Sequence, residues 1–276
     1  MIEPAASHLD PIRQNTTIVL VRARNPANIG AAARAMHDFG FSSLRVVNEF
    51  PVPFQAARSA VDASAVLASA TSHTTLAEAI ADCTLVFGTT AVGERELRHE
   101  LLQLPQAATH IRSQLTPSNA SARIALLFGS EKTGLSNDEL SFCHALVTIP
   151  MAQHSGIRHP SMNLGQAVAV CLWELVRDSA EGSAASSMPR NPGSPASSLS
   201  GVATEMGDAD SATLERLHGA LTEVLEATEY TRRHAANCDP AHVRRLLRRV
   251  GIDPIDAPVW MGIFRQILWK LGRSSQ

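Results

Sequence analysis

From residue 16 onward the chain alternates short runs of β-branched and aliphatic residues with longer alanine-rich segments, the pattern of strands joined by crossover helices. The run Thr17-Ile-Val-Leu-Val-Arg22 is apolar on both of its faces, as a strand must be when helices cover a parallel sheet on either side. The spacing predicts strands at 17–22, 43–47, 83–87, 123–128 and 145–149, with helices at 28–40, 55–69, 74–82, 105–115 and 163–179. Ser136 and Glu139 have the S-x-x-E spacing of a capping box and predict a short helix between them. In the 163–179 segment, Leu164, Ala167, Val168, Cys171, Leu172, Leu175 and Val176 repeat at helical spacing and form one apolar stripe. The fold class is therefore α/β, a parallel sheet with helices on both faces.

Residues 1–15 precede this pattern and read as a disordered N-terminal arm, which puts the α/β domain at 16–180. The stretch 181–201 is mostly Ser, Gly, Pro and Ala, too poor in apolar surface to offset the cost of ordering, and marks a flexible linker at 181–208. Beyond it, a helical domain at 209–276 carries three apolar stripes: Leu214, Leu217, Leu221 and Leu225; then Leu246, Leu247 and Val250; then Trp260, Ile263, Phe264, Ile267, Leu268 and Leu271. Pro240 and Pro258 sit where first-turn prolines begin helices, and Gly251 where one ends. So short a unit is expected to pack on something.

Several classes of function are disfavoured at once. Gly88-x-x-x-x-Gly93 approaches a phosphate loop, but Glu94 and Arg95 stand where Lys and Ser or Thr are needed, and no G-x-G-x-x-G occurs. Cys83, Cys143, Cys171 and Cys238 form no CxxC pair and mostly lie in apolar runs, which predicts reduced thiols and neither disulfides nor zinc. His154, Arg158 and His159 lack a second ligand pair and read as surface residues, so no metal is expected. No stretch reaches the roughly 20 apolar residues of a membrane span, and no basic-then-apolar leader opens the chain; a cytoplasmic protein is expected. The formal net charge of -2 hides a bias, since Lys132 and Lys270 are the lysines among 24 basic residues. Arginine suits bidentate phosphate contact, but a GC-rich genome produces the same bias. The arginines Arg232, Arg233, Arg244, Arg245, Arg248 and Arg249 of the tail fit a solvated helix face as well as a phosphate grip.

Chemistry is concentrated in clusters of glycine and small polar residues at strand ends, where an α/β fold presents backbone groups to a ligand. Asn25-Pro26 breaks the first strand, and Asn28 is placed to cap the following helix. Arg34 lies off the stripe of Ile29, Ala32, Ala33, Met36 and Phe39, facing either a ligand or Asp38 one turn on. Gly88-Thr89-Thr90-Ala91 follows the third predicted strand. Phe128-Gly129-Ser130-Glu131 through Gly134 allows a close backbone approach, with Glu131 available as an acceptor. Ile149-Pro150 ends another strand, and Ser161-Met162-Asn163 stands at the start of the last helix, where Ser and Asn also serve as ordinary caps.

Taken together and in order, Asn28-x-Gly30-x3-Arg34-x-Met36, Phe128-Gly-x-Glu131-x2-Gly134-Leu-Ser-Asn137-x-Glu139-Leu and Ser161-x-Asn163-Leu164-x2-Ala167-Val168 resemble the three motifs of the SPOUT class of RNA 2'-O-ribose methyltransferases. More narrowly, with the helical tail after a polar linker, the chain is similar to the TrmJ-type tRNA methyltransferases. The resemblance implies a trefoil knot in the C-terminal part of the sheet domain, a homodimer with the active site at the subunit interface, and S-adenosyl-L-methionine as methyl donor. It implies a cofactor wall of Thr89, Thr90, Ala91, Gly129, Ile149, Ser161, Met162 and Asn163, and catalytic or substrate-orienting roles for Asn28, Arg34, Glu131, Ser161 and Asn163. Close relatives often carry arginine where this chain has Ser130, which leaves that contact to Lys132 or Arg158.

The implied reaction is attack of a ribose 2'-hydroxyl on a sulfonium methyl, with tRNA position 32, cytidine or uridine, as the acceptor. A guanidinium is a poor base, so Arg34 is expected to anchor a phosphate and stabilise the developing alkoxide. Two other readings fit the same motifs: an enzyme of this class acting on rRNA, and a non-catalytic RNA-binding protein that retains the fold. The tail can equally extend the dimer interface through Trp260, Phe264 and Trp269.

Overall fold

The computed structural model describes residues 10–48, 64–91, 98–116, 119–152, 162–180 and 208–274. Seven parallel strands, β1 (Thr16–Val21), β2 (Leu44–Val47), β3 (Thr71–His73), β4 (Leu85–Thr89), β5 (Leu101–Gln103), β6 (Ile124–Phe128) and β7 (Ala145–Thr148), form one sheet in the order β3-β2-β1-β6-β4-β7-β5. Every residue of β1 and β6 is buried, and alternate side chains enter different cores. Ile18, Leu20, Leu126 and Phe128 join one, whereas Val19, Val21, Ala125 and Leu127 join the other. The first face is covered by α2 (Pro26–Phe39), α3 (Ser64–Ser69), α5 (Leu104–Gln114) and α7 (Leu164–Ala180). The second is covered by α4 (Leu76–Ala79) and α6 (Asn137–Leu140).

The differences from the sequence-based expectation have local causes. Residues 10–15 are not part of an arm: α1 (Pro11–Gln14) is capped by Asp10, buries Ile12, and is tied to α2 by Arg13 Nε donating to the Phe39 carbonyl at 2.9 Å. Residues 1–9 lie outside the described residues. β1 stops at Val21 because Arg22 turns into the left-handed region, φ 57°. The cap of α2 is Asn25, whose side chain accepts from the Ala27 amide at 3.0 Å, so Asn28 falls inside the helix with its amide free for other partners. The expected helix at 55–69 is described only over Ser64–Ser69, and the expected linker lies outside the described residues over 181–207.

The tail forms α8 (Ser211–Ala227), α9 (Tyr230–Arg233), α10 (Pro240–Val250) and α11 (Asp256–Ser274), around a core that includes Leu214, Leu217, Leu247, Ile252 and Phe264. Its register differs from the apolar stripes: Leu246, Val250, Trp260 and Ile263 are exposed, while Arg245 and Arg248 are buried. The reason lies at the junction with the sheet domain. Arg244 donates from Nε to both oxygens of Glu215 at 3.1 and 3.0 Å and from Nη1 to Ser141 Oγ at 3.0 Å; Arg248 reaches Glu215 at 3.1 Å. Both guanidinium groups lie over the Phe142 ring, 4.2 and 5.7 Å from its centroid. These two arginines are neither a solvated face nor a phosphate grip. Ser211 donates from its amide and its hydroxyl to the Cys83 carbonyl, each at 2.9 Å, so the tail docks beside the amino ends of β4 and β7.

All four cysteines are free thiols, and burial pushes those of Cys83, Cys143 and Cys171 up to about 12. Among the described residues no helix is long and apolar enough to cross a membrane.

Candidate active site

Because β1, β6, β4 and β7 are neighbours and parallel, their carboxyl ends deliver four segments to one edge of the sheet: 22–25, 129–134, 89–91 and 149–152. This edge is where ligands bind in open α/β sheets, beside the point at which strand order reverses. The 89–91 wall is fixed from both sides, Thr89 Oγ1 donating to the Leu127 carbonyl at 2.8 Å and the Thr90 amide to Val147 at 2.9 Å. Thr89 and Thr90 are half-buried and Ala91 is exposed. Ile149 is half-buried against the first core, and Met162 is half-buried as well, so apolar surface is present where the sequence placed it.

Gly129 is required by close packing. A Cβ there would stand 2.2 Å from the carbonyl carbon of Gly134 and 2.3 Å from the Leu135 amide nitrogen, both backbone atoms. The 129–134 loop therefore closes tightly on itself, pinned by the Gly134 amide donating to the Ser130 carbonyl at 2.8 Å. Gly134 adopts φ 63°, a conformation that favours glycine. Ser130 turns its hydroxyl inward to Thr133 Oγ1 at 2.8 Å, and Lys132 is exposed.

Three of the candidate residues meet. Asn28 Nδ2 donates to Glu131 Oε1 at 2.5 Å, and Asn163 Nδ2 approaches Asn28 Oδ1 at 3.5 Å. Asn163 Oδ1 also accepts from the Gly165 amide at 3.0 Å, so this residue serves both as a helix cap and as a member of the cluster. Beside it, α7 crosses α2 so closely that a Cβ on Gly165 would lie 2.6 Å from Ala31 Cβ. Arg34 is not brought in: it is exposed, and no hydrogen bond or ion pair involves it among the described residues. Its alternative partner Asp38 lies instead 3.6 Å from His37. Ser161, with His154, Arg158 and His159, lies outside the described residues.

One residue escaped the sequence. Arg22 donates from Nε and Nη2 to the two oxygens of Glu139 at 2.7 and 2.9 Å, and from Nη2 to the Gly134 carbonyl at 2.8 Å. Glu139 meanwhile closes the expected capping box, accepting from the Ser136 amide at 2.5 Å. A positive φ just after a strand was the needed signal, and no residue type announces it when glycine and asparagine are absent.

The lining suits a flat, largely neutral ligand held by backbone groups and apolar side chains, with polar groups gathered at one side. Comparison with known proteins agrees with this chemistry. Residues 15–173 match the model of the SpoU rRNA Methylase family. The tRNA (cytidine/uridine-2'-O-)-methyltransferase TrmJ of Sodalis glossinidius (strain morsitans) is 32% identical over 261 residues, covering 92% of this chain and 91% of its own. The protein of the same name from Cronobacter sakazakii (strain ATCC BAA-894) is 35% identical, covering 92% and 96%. Among solved structures, TrmJ from Z. mobilis ZM4 superposes with a TM-score of 0.71 at 26% identity, covering 91% of this chain and 98% of that one.

Proposed function

The chain belongs to the SpoU methylase family, and from that premise we propose that it transfers a methyl group from S-adenosylmethionine to a ribose 2'-hydroxyl of tRNA. The observation that carries tRNA as the acceptor is the extent of the similarity. The family model ends at residue 173, whereas two tRNA-modifying relatives match over 92% of the chain and so through the tail. The acceptor is the ribose at position 32 of the anticodon loop.

Thr89, Thr90, Ala91, Gly129, Ile149, Ser161, Met162 and Asn163 hold the donor. What supports their fit is the half-buried apolar surface of Ile149 and Met162 beside the backbone-pinned 89–91 segment, at the edge where the tightly closed 129–134 loop also ends. When bound, S-adenosylmethionine supplies an electrophilic methyl group on a positively charged sulfur. The chain's own residues then have to orient the hydroxyl and manage its proton. Glu131 has one oxygen on Asn28, and its other accepts a ribose hydroxyl; Asn28, Asn163 and Ser161 fix the direction of approach. Arg34 anchors the adjoining phosphate and stabilises the alkoxide as it forms.

Arg34 has no partner among the described residues, and it acts across a homodimer, in the site of the partner subunit. Trp173, exposed on α7, supports a second copy on that side. The proposal includes the threaded C-terminal part of the sheet domain, for which membership of the family speaks.

The test is direct. A saturating concentration of S-adenosylmethionine, at about 100 Kd, stabilises a protein that binds it by about 2.7 kcal/mol, read as a rise in melting temperature. Mapping ribose methylation in tRNA from a deletion strain then shows loss at position 32. Loss in rRNA, or none, overturns the assignment.

Exposed Arg249 of the tail and exposed Arg98 of the sheet domain are the RNA contacts. Arg245 and Arg249 make no ion pair among the described residues, and burial and the neighbouring Arg98 guanidinium lower the Arg245 pKa, with Arg249 adding to the repulsion. Arg98 and Arg249 are exposed. Replacing both by alanine should reduce the slope of log K against log[salt] for tRNA binding by about 2 and leave the melting temperature unchanged. An unaltered slope removes these residues from the interface.

A further inference from the structure

The proposed reaction depends on Glu131, yet Glu131 stands exposed at the tip of the 129–134 loop, and its one hydrogen bond among the described residues is to Asn28. Among the described residues, the side chain that hydrogen-bonds to the rest of that loop from outside it is Arg22. Arg22 leaves β1 in the left-handed region, where side-chain-bearing residues are uncommon. That turn swings the guanidinium over the end of β6 to span the Glu139 carboxylate and the Gly134 carbonyl, with a weaker contact to Thr133 Oγ1 at 3.4 Å. Glu139 is itself fixed by the Ser136 amide, so the loop's outgoing limb is bolted to the start of α6 and to β1 together. The pair is partly buried, with side-chain exposures of 32% for Arg22 and 15% for Glu139. Under those conditions a bidentate guanidinium gives directional hold that a point charge does not.

We infer that Arg22 is a positioning residue for methyl transfer: by fixing the carboxyl end of the 129–134 loop it keeps Glu131 directed at Asn28 and the substrate ribose. The inference rests on the methyltransferase reading above. Lysine cannot reproduce the hold, because one ammonium does not bridge both carboxylate oxygens and the Gly134 carbonyl in a fixed fork.

The test uses the full-length wild type, Arg22→Lys, Glu131→Gln and the double variant. Arg22→Lys is expected to lower kcat about 30-fold while S-adenosylmethionine affinity by calorimetry stays within about twofold. Amide hydrogen exchange across 129–135 should speed up about tenfold. The double variant should be no slower than Glu131→Gln alone, since Arg22 acts through Glu131. Should Arg22→Lys fold poorly, Glu139→Gln, which keeps the shape and the capping acceptor, is expected to give the same kcat loss and the same faster exchange. An Arg22→Lys enzyme within twofold of wild-type kcat, or losses that multiply in the double variant, overturns the inference. A wild type that neither binds S-adenosylmethionine nor methylates RNA instead defeats the methyltransferase reading; unchanged exchange in Arg22→Lys defeats the hold on the loop in either case.

Discussion

Arg34→Ala abolishes methyl transfer, lowering kcat by at least about 10³-fold, while the affinity for S-adenosylmethionine stays within about twofold. Arg34 is exposed and bonds to nothing among the described residues, so its removal leaves no buried charge and no orphaned partner there, and folding stability should change by no more than about 0.5 kcal/mol. A residue that the fold does not use and that the reaction needs will show its whole effect in turnover. The loss combines two contributions of a guanidinium, a bidentate hold on the phosphate beside the target ribose and stabilisation of the alkoxide. Lysine at this position should recover only part of the activity, because it keeps the charge and loses the fork. The test that isolates the subunit question is complementation: mixing inactive Arg34→Ala with inactive Asn163→Ala should restore activity, since mixed dimers contain one site with both residues intact. Equal loss of donor binding in Arg34→Ala, or no complementation, contradicts the assigned role.

Gly129→Ala is the second large effect. Its new methyl group would meet backbone atoms at 2.2 and 2.3 Å, and neither Gly134 nor Leu135 can yield, since their own bonds to Ser130, Arg22 and the second core close the loop. Overpacking of this kind costs about 3 kcal/mol. For a domain of this size that is a fall of about 10 °C in melting temperature. If the loop opens to relieve the overlap, the cradle for the donor and the direction of Glu131 are lost together, and affinity for S-adenosylmethionine should fall more than about 100-fold. Calorimetry and thermal melting on the same sample read both. A Gly129→Ala protein with native stability and native donor affinity would show that the close crossing of residues 129 and 134 does not shape the pocket.

Much of the sheet domain is legible in the amino-acid pattern because burial on both faces leaves strands such as Ile124-Ala-Leu-Leu-Phe128 without polar interruption. β3 and β5 are not legible, since three residues at the edges of a sheet carry no periodicity to detect. The sequence makes Asn28 the cap of α2; the structure gives that place to Asn25, which frees Asn28 for Glu131. In the tail, Arg244-Arg245 and Arg248-Arg249 are indistinguishable by type, and one member of each pair is consumed by Glu215 and Phe142 while the other is not. Leucine at 246 then points outward because the arginines have taken the inner side, an inversion that hydrophobic periodicity cannot anticipate.

The docking of the tail beside the amino ends of β4 and β7 separates it from the reacting edge by the length of a strand, about 16 Å for five residues. No side chain of α10 can therefore touch the ribose being modified within the same polypeptide. A nucleic acid held by the tail would then be gripped on a limb distant from the ribose that meets the same polypeptide's sheet domain, and acceptors would be chosen by their span.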